Sequence, residues 1–209
     1  MKLITWNVQW FCGLDGRVDV GRIVRHARAM ADFDVLCLQE VAQHYPRLQG
    51  DASADQPAQL AALLPGFDIA FGAAVDELAP DGRTRQRFGN LVATRLPLLQ
   101  VQHHALPYPA DAGVRSMPRM ATVATVQAPW GPLRVMTTHL EYYSPAMRMA
   151  QARELLRLHA QACAQAAQRP LEDDSGGPFR AKAHSADLLL TGDFNLEPDS
   201  AEYTLLTSG

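Results

Sequence analysis

Four apolar runs in this chain stop on side chains that can bind a metal ion or move a proton. "LITWN" ends on Asn7, "VLCLQE" on Glu40, "LRVMTTHLE" on His139 and Glu141, and "LLLTGDFN" on Asp193 and Asn195. One such ending means little, because strand ends meet water. Four endings carrying Asn, Glu, His and Asp-x-Asn would build one polar site if the strands lay side by side. In an extended chain alternate side chains share a face, which points Asp193 and Asn195 the same way with Phe194 packed behind. For that stretch alone a plain strand-to-loop turn explains the residues equally well, since Asp and Asn are common there.

The elements that must hold these residues follow from periodicity and punctuation. Residues 2–8 form a first strand. Val20, Ile23, Val24, Ala27 and Met30 recur at helical spacing behind Asp19 as N-cap. "FDVLCLQEV" is apolar enough to be a strand covered on both faces. "QPAQLAALLPG" is a short helix stopped by Pro65-Gly66, and "FDIAFGAA" and "GNLVATRLPLL" are further strands. Residues 119–140 form a hairpin about the Pro-Trp-Gly-Pro turn. Ser144-Pro145 opens a helix running to about Gln168, with Met149, Ala152, Leu156 and Cys163 on one side. The polar segment 169–185 is expected to be a mobile loop within the domain, because a buried strand follows it. Paired antiparallel runs mixed with helical connections give an α/β sandwich.

Bulk properties narrow the function classes. The chain has 209 residues, 47% hydrophobic and 20% charged, enough for one well-buried domain. A net charge of -3 argues against a generally basic, nucleic-acid-coating surface but leaves room for a local groove. Lys2 and Lys182 are the only lysines. Cys12, Cys37 and Cys163 are odd in number and in no CxxC pattern, so neither a disulfide framework nor a zinc site is indicated. No signal-peptide pattern opens the chain and no apolar run reaches membrane-spanning length. A reducing, cytoplasmic setting is the expectation.

"TWNVQ", "DVLCLQEV", "FGNLVATRLPL", "MTTHLE" and "LLLTGDFNLEP", in this order, resemble the endonuclease/exonuclease/phosphatase superfamily over residues 4 to about 203. The resemblance implies a four-layer α/β/β/α sandwich with two mostly antiparallel, mixed sheets. It implies a metal-dependent phosphoesterase (a nuclease, phosphodiesterase or phosphatase) that breaks a P–O bond by direct attack of water. Glu40, with Asn7 beside it, would hold Mg²⁺, or Mn²⁺ in its place. Asp193 would orient or deprotonate the water, Asn195 would hold a phosphate oxygen or that water, and His139 would donate to a non-bridging oxygen. Asn90 and Arg119 would face the substrate, a phosphoester that includes nucleic acid among its candidates.

The resemblance has two gaps. In "RSMPRMA" Met117 stands where the family commonly has Glu, although Arg119 keeps the basic position. The family's late Asp and its Asp-His pair have no counterpart in "EPDSAEYTLLTSG". Residues 1–209 are therefore expected to be one catalytic domain lacking its C-terminal strands, and inactive or nearly so. The alternative is a non-catalytic module that holds a phosphorylated ligand or a protein in the same groove. Arg83, Arg85 and Arg87 alternate along "GRTRQRF" and suit either a phosphate stripe or a solvated hairpin edge. His26, His44, His103, His104, His159 and His184 have no ligand-like arrangement. The early loops lack an apolar hairpin for membrane insertion.

Overall fold

The computed structural model describes residues 1–169, 171 and 176–208. Among these residues nine strands form two sheets. The first holds β1 (Leu3–Asn7), β2 (Val35–Tyr45), β3 (Ala52–Asp55), β4 (Asp68–Leu78) and β5 (Arg85–Thr94). Its order is β1-β2-β5-β4, with β3 on the far end of β2. The second holds β6 (Leu98–Ala105), β7 (Met120–Ala128), β8 (Gly131–His139) and β9 (Leu188–Asp193), side by side in that order. β1 runs parallel to β2 and β8 parallel to β9, while the other pairings are antiparallel.

Alternation along β2 builds the layers. Leu36 and Leu38 face outward, onto Val24 and Ala27 of α1 (Val20–Met30) and Leu60 of α2 (Gln56–Leu63). Val35 and Cys37 face inward, where with Val92 they meet Ala124, Val126, Leu133 and Val135 of the second sheet. That sheet's outer face, through Ala121, Val123 and Met136, packs on Leu155 and Leu158 of α3 (Pro145–Ala167). Behind α3 lies α4 (Ala201–Thr207), tied by Arg148 to Glu202 at 3.1 Å. The result is the expected α/β/β/α sandwich. Asp19 and Ser144 cap α1 and α3 as expected, accepting from the backbone N–H of Arg22 and Met147.

Two local expectations need correction. "GNLVATRLPLL" is two strands in different sheets, divided at Arg95–Pro97. Arg95 is held there by Asp32 and Asp34 at 2.6 and 2.9 Å, and Pro97 has no N–H to continue a ladder. The buried side of α3 is Met147, Gln151, Ala152, Leu155 and Leu158, rotated from the expected one. Gln151 sits at its centre because it accepts from the Glu141 N–H and donates to the Pro107 carbonyl, two backbone groups that need partners. β3, α4 and a single turn at Gln9–Phe11 carry too few residues for periodicity to show. Of the segment 169–185, residues 170 and 172–175 lie outside the described residues. Among the described residues no helix is long and apolar enough to cross a membrane.

Candidate active site

The two parallel strand pairs bring their C-terminal ends to one rim. His139 stands opposite Asp193 in the β8–β9 register, and Asn7 opposite Gln39 in β1–β2. The sheets then meet through side chains. The Asn7 amide nitrogen donates to Glu40 Oε1 at 3.0 Å and to Asp193 Oδ2 at 2.9 Å. The His139 ring lies between the same two carboxylates, with Nδ1 3.8 Å from Glu40 and Nε2 3.8 Å from Asp193. Behind them Gln39, buried between the sheets, donates to the hydroxyls of Thr5 and Thr137 and fixes one sheet on the other.

Glu40 reaches this rim through a bulge. Regular alternation would put it outward with Leu36 and Leu38. Leu38 pairs with Leu91 but Val41 pairs with Gly89, so Gln39 and Glu40 together oppose Asn90 alone. Glu40 takes a left-handed φ of 60°, and its carboxylate turns into the cleft while Val41 returns to the outer core. A non-glycine residue in that region is strained, and such strain concentrates at functional sites.

Asp193 ends β9, so the alternation argument for Asp193 and Asn195 does not apply. Asn195 has φ 49°, its backbone N–H donates to Asp193 Oδ1 at 3.1 Å, and its side-chain amide donates to the Leu140 carbonyl at 2.9 Å. Both side chains still line the same cleft. Gly192 has φ 147°, and a Cβ there would strike the Thr138 carbonyl across the pairing that aligns His139 with Asp193.

Arg119 lines the cleft beside Glu40 and His139. Its Nε reaches Glu141 Oε2 at 3.4 Å, while its Nη1 is buried and has no partner among the described residues. Glu141, 0% exposed, also accepts the backbone N–H groups of Tyr142 and Tyr143. Its role is to anchor Arg119, and its position two residues after His139 was the only sequence sign. Asn90 lies behind the cleft, 2% exposed, with its amide donating to the Met120 carbonyl. Of the arginine stripe, Arg85 and Arg87 are paired with Asp76 at 2.7 and 3.2 Å on the exposed hairpin edge.

Electrostatics reflect this crowding. Burial, joined by the Asp193 charge, holds the Glu40 carboxyl above the usual carboxylate range despite the Asn7 bond. Burial, then the Arg119 charge, pushes the His139 imidazole down to about 4, so it is neutral at pH 7 and carries one N–H. No three His, Cys, Asp or Glu residues among those described form a metal cage. Glu40 and Asp193 converge on one Asn7 nitrogen with the His139 ring between them, while Asn7 Oδ1 accepts from the Gln9 backbone N–H. The two carboxylates suit a hard cation that needs one or two of them and keeps its waters, and Asn7 would join them through its oxygen.

The cleft, about 500 Å³, extends beyond the polar centre along Trp10, Tyr45, Leu48, Val75, Phe88 and Met117, and Tyr142 and Tyr143 also line it. They come from six separate segments with no shared motif, so the sequence does not show them as one wall; Met117 alone draws notice there, as the residue standing where the family commonly has Glu.

The chain matches the family model described as "Endonuclease/Exonuclease/phosphatase family" over residues 4–209. No curated protein matches it. Among solved structures it resembles an endonuclease/exonuclease/phosphatase from Beutenbergia cavernae, with TM-score 0.66 and 26% identity, covering 98% of this chain and 51% of that one. It also resembles the Bacteroides thetaiotaomicron mannosyl-6-phosphatase Bt3783, with TM-score 0.62, 16% identity and 99% and 69% coverage. The human Nocturnin catalytic domain with bound sulfate gives TM-score 0.59, 21% identity and 97% and 66% coverage. The chain thus spans about half the length of the Beutenbergia protein. The family pattern runs through every strand that feeds the cleft, and the chain belongs to the endonuclease/exonuclease/phosphatase family.

Proposed function

We propose that this protein is a Mg²⁺-dependent hydrolase of phosphoester bonds, in which water attacks phosphorus directly and a P–O bond breaks. The observation that carries the reading is the four-way contact of Asn7, Glu40, His139 and Asp193, which draws two carboxylates and an imidazole to one point. Glu40 and Asn7 would hold the metal (Mn²⁺ serving in place of Mg²⁺). When bound, such an ion polarises the phosphoryl group and offsets charge on the leaving oxygen.

The chain's own residues divide the remaining work. Asp193 orients the attacking water and accepts its proton. Neutral His139 donates its N–H to a non-bridging phosphate oxygen as charge develops there. The Asn195 amide has a second N–H for a phosphate oxygen or the water. Arg119 has a buried N–H donor without a partner among the described residues, a group that gains by meeting an anion. The mannosyl-6-phosphatase and the sulfate-bound Nocturnin domain support a phosphate-handling cleft in this fold. Nucleic acid falls within the proposed substrate class. The three free cysteines agree with a reducing, cytoplasmic setting, which belongs to the same proposal.

Turnover by the 209 residues alone is proposed to be slow. Among the described residues His139 is the sole imidazole lining the main cleft, so Asp193 handles the water's proton without a second acid–base partner. Losing such a group costs about 10²–10⁴ in rate.

Hydrolysis of bis-p-nitrophenyl phosphate tests the proposal, using both the 209 residues and the complete product of the reading frame. Mg²⁺ should be required, and Glu40→Ala and Asp193→Ala should each lower the rate by at least about 10²-fold. Mg²⁺-independent hydrolysis, or indifference to both substitutions, would overturn it. Mg²⁺ and phosphate binding without turnover by either form would favour the non-catalytic module.

A further inference from the structure

We infer that the wall formed by Trp10, Tyr45, Phe88 and Met117 binds a flat apolar ring, an aryl group or a nucleobase, attached next to the scissile phosphate. This names a substrate class for the phosphoesterase site and rests on that reading. The wall and the polar centre share one cleft, so a phosphate held at Arg119 and His139 places its ester group against the rings.

The polar tips of the wall are already engaged elsewhere. Trp10 Nε1 donates to the Gln49 carbonyl at 2.9 Å, and the Tyr45 hydroxyl donates to Glu77 at 2.9 Å. The four wall residues themselves offer ring, thioether and alkyl surface, and the polar lining of the cleft comes from Arg115, Ser116 and the polar centre. A sugar or polyol lying flat on the wall would find no hydroxyl partner in those four side chains. The rings themselves form a cradle. Phe88 lies at the centre, with Trp10 tilted 52° to it at 6.4 Å and Tyr45 near-perpendicular at 6.2 Å. Such edge and offset arrangements leave room for another ring to join.

The backbone beneath Trp10 is the second, independent observation. Gln9, Trp10 and Phe11 have φ of 46°, 43° and 62°, three consecutive left-handed residues with no glycine among them. L-residues rarely adopt this geometry even singly. It is held by Gln56, fully buried, whose Nε2 donates to the Trp10 carbonyl while its Oε1 accepts from Ala42 beyond the Glu40 bulge. One side chain therefore fixes both the indole and the strand that delivers Glu40. Strain of this kind gathers at ligand clamps.

Calorimetric titration of the 209-residue chain in Mg²⁺ tests this with phosphonates that cannot be hydrolysed. Phenylphosphonate should bind about tenfold tighter than methylphosphonate, the usual scale of a ring stacked on an aromatic wall. The methylene phosphonate analogue of glucose 6-phosphate should show no gain over methylphosphonate. The 5′-methylene phosphonate analogue of adenosine 5′-monophosphate separates the sources: tighter than phenylphosphonate means a nucleobase, weaker means a simple aryl group. Trp10→Ala should collapse the phenyl-to-methyl ratio towards one, and Trp10→Phe should keep most of it. Met117→Gln, at a half-buried position of the wall, should erode the ratio even if Trp10→Ala does not fold. Orthophosphate binding with equal phenyl and methyl affinities would overturn the inference and leave the phosphoesterase reading standing. Absence of all anion binding would remove both.

Discussion

Glu40→Gln should stabilise the metal-free protein. Glu40 and Asp193 both accept from one Asn7 nitrogen, at 3.0 and 2.9 Å, so their charges lie within about 6 Å of each other. At an effective dielectric of about 20–40, two like charges at that separation repel by roughly 1–3 kcal/mol. Asp193 is about one-third exposed, which screens the pair and brings the figure to roughly 1–2 kcal/mol. For a chain of this size the gain corresponds to a rise in Tm of about 2–8 °C. The pH dependence has a definite sign. A carboxyl whose folded pKa is raised favours folding below its unfolded value and loses that contribution as pH rises through the folded value. The advantage of Glu40→Gln should therefore be largest at neutral pH and vanish below about pH 4, where the carboxyl is protonated in both states. Thermal unfolding in EDTA, for the single variant, Asp193→Asn and the double variant, completes a cycle. The double variant should gain clearly less than the sum, because either change alone removes the repulsion. An unchanged or lower Tm for Glu40→Gln, or strict additivity, would refute this reasoning.

Gly192→Ala forces an L-residue into φ 147° and drives its Cβ onto the Thr138 backbone. It should cost at least about 1–3 kcal/mol, read from the denaturant midpoint, and misalign Asp193 with His139. Glu141→Gln leaves the buried Arg119 guanidinium without its counter-charge and should lower stability by about 3 kcal/mol, seen as a fall in Tm. The backbone N–H of Lys2, then Arg95, holds the Asp34 carboxyl below the usual range. Its contribution is present above the unfolded pKa and lost as pH falls through the folded one. Asp34→Asn should thus weaken the protein at neutral pH and converge with wild type in acid, which thermal melts across pH would show.

Strand ends were the legible part of this site. Glu40, His139 and Asp193 each close an apolar run whose length and punctuation mark a strand, and those strands do pair as neighbours or face one another. The sandwich itself was legible because β2 is apolar on both faces, as a strand between two layers must be. What stayed hidden depends on backbone exceptions and long-range partners. Alternation alone sends Glu40 to the wrong face; the bulge opposite Asn90 corrects it, and no residue type in "LQEV" announces a bulge. Arg119 and Glu141 are 22 residues apart and acquire meaning only through their contact. Trp10 owes its place to three left-handed residues and a buried glutamine 46 positions away. Asn90 gives one amide N–H to the Met120 carbonyl and lines a small cavity with Arg119 and His139, a placement that its sequence position alone does not show.

Mg²⁺ titration by calorimetry, on wild type and on Glu40→Ala, tests the central claim most directly because it needs no knowledge of the substrate. The account predicts binding in wild type that Glu40→Ala abolishes, and tighter Mg²⁺ binding when phosphate is present, since the anion's charge attracts the cation and the coupling is equal in both directions. A wild-type protein that binds no Mg²⁺, or one whose binding survives Glu40→Ala, would contradict it.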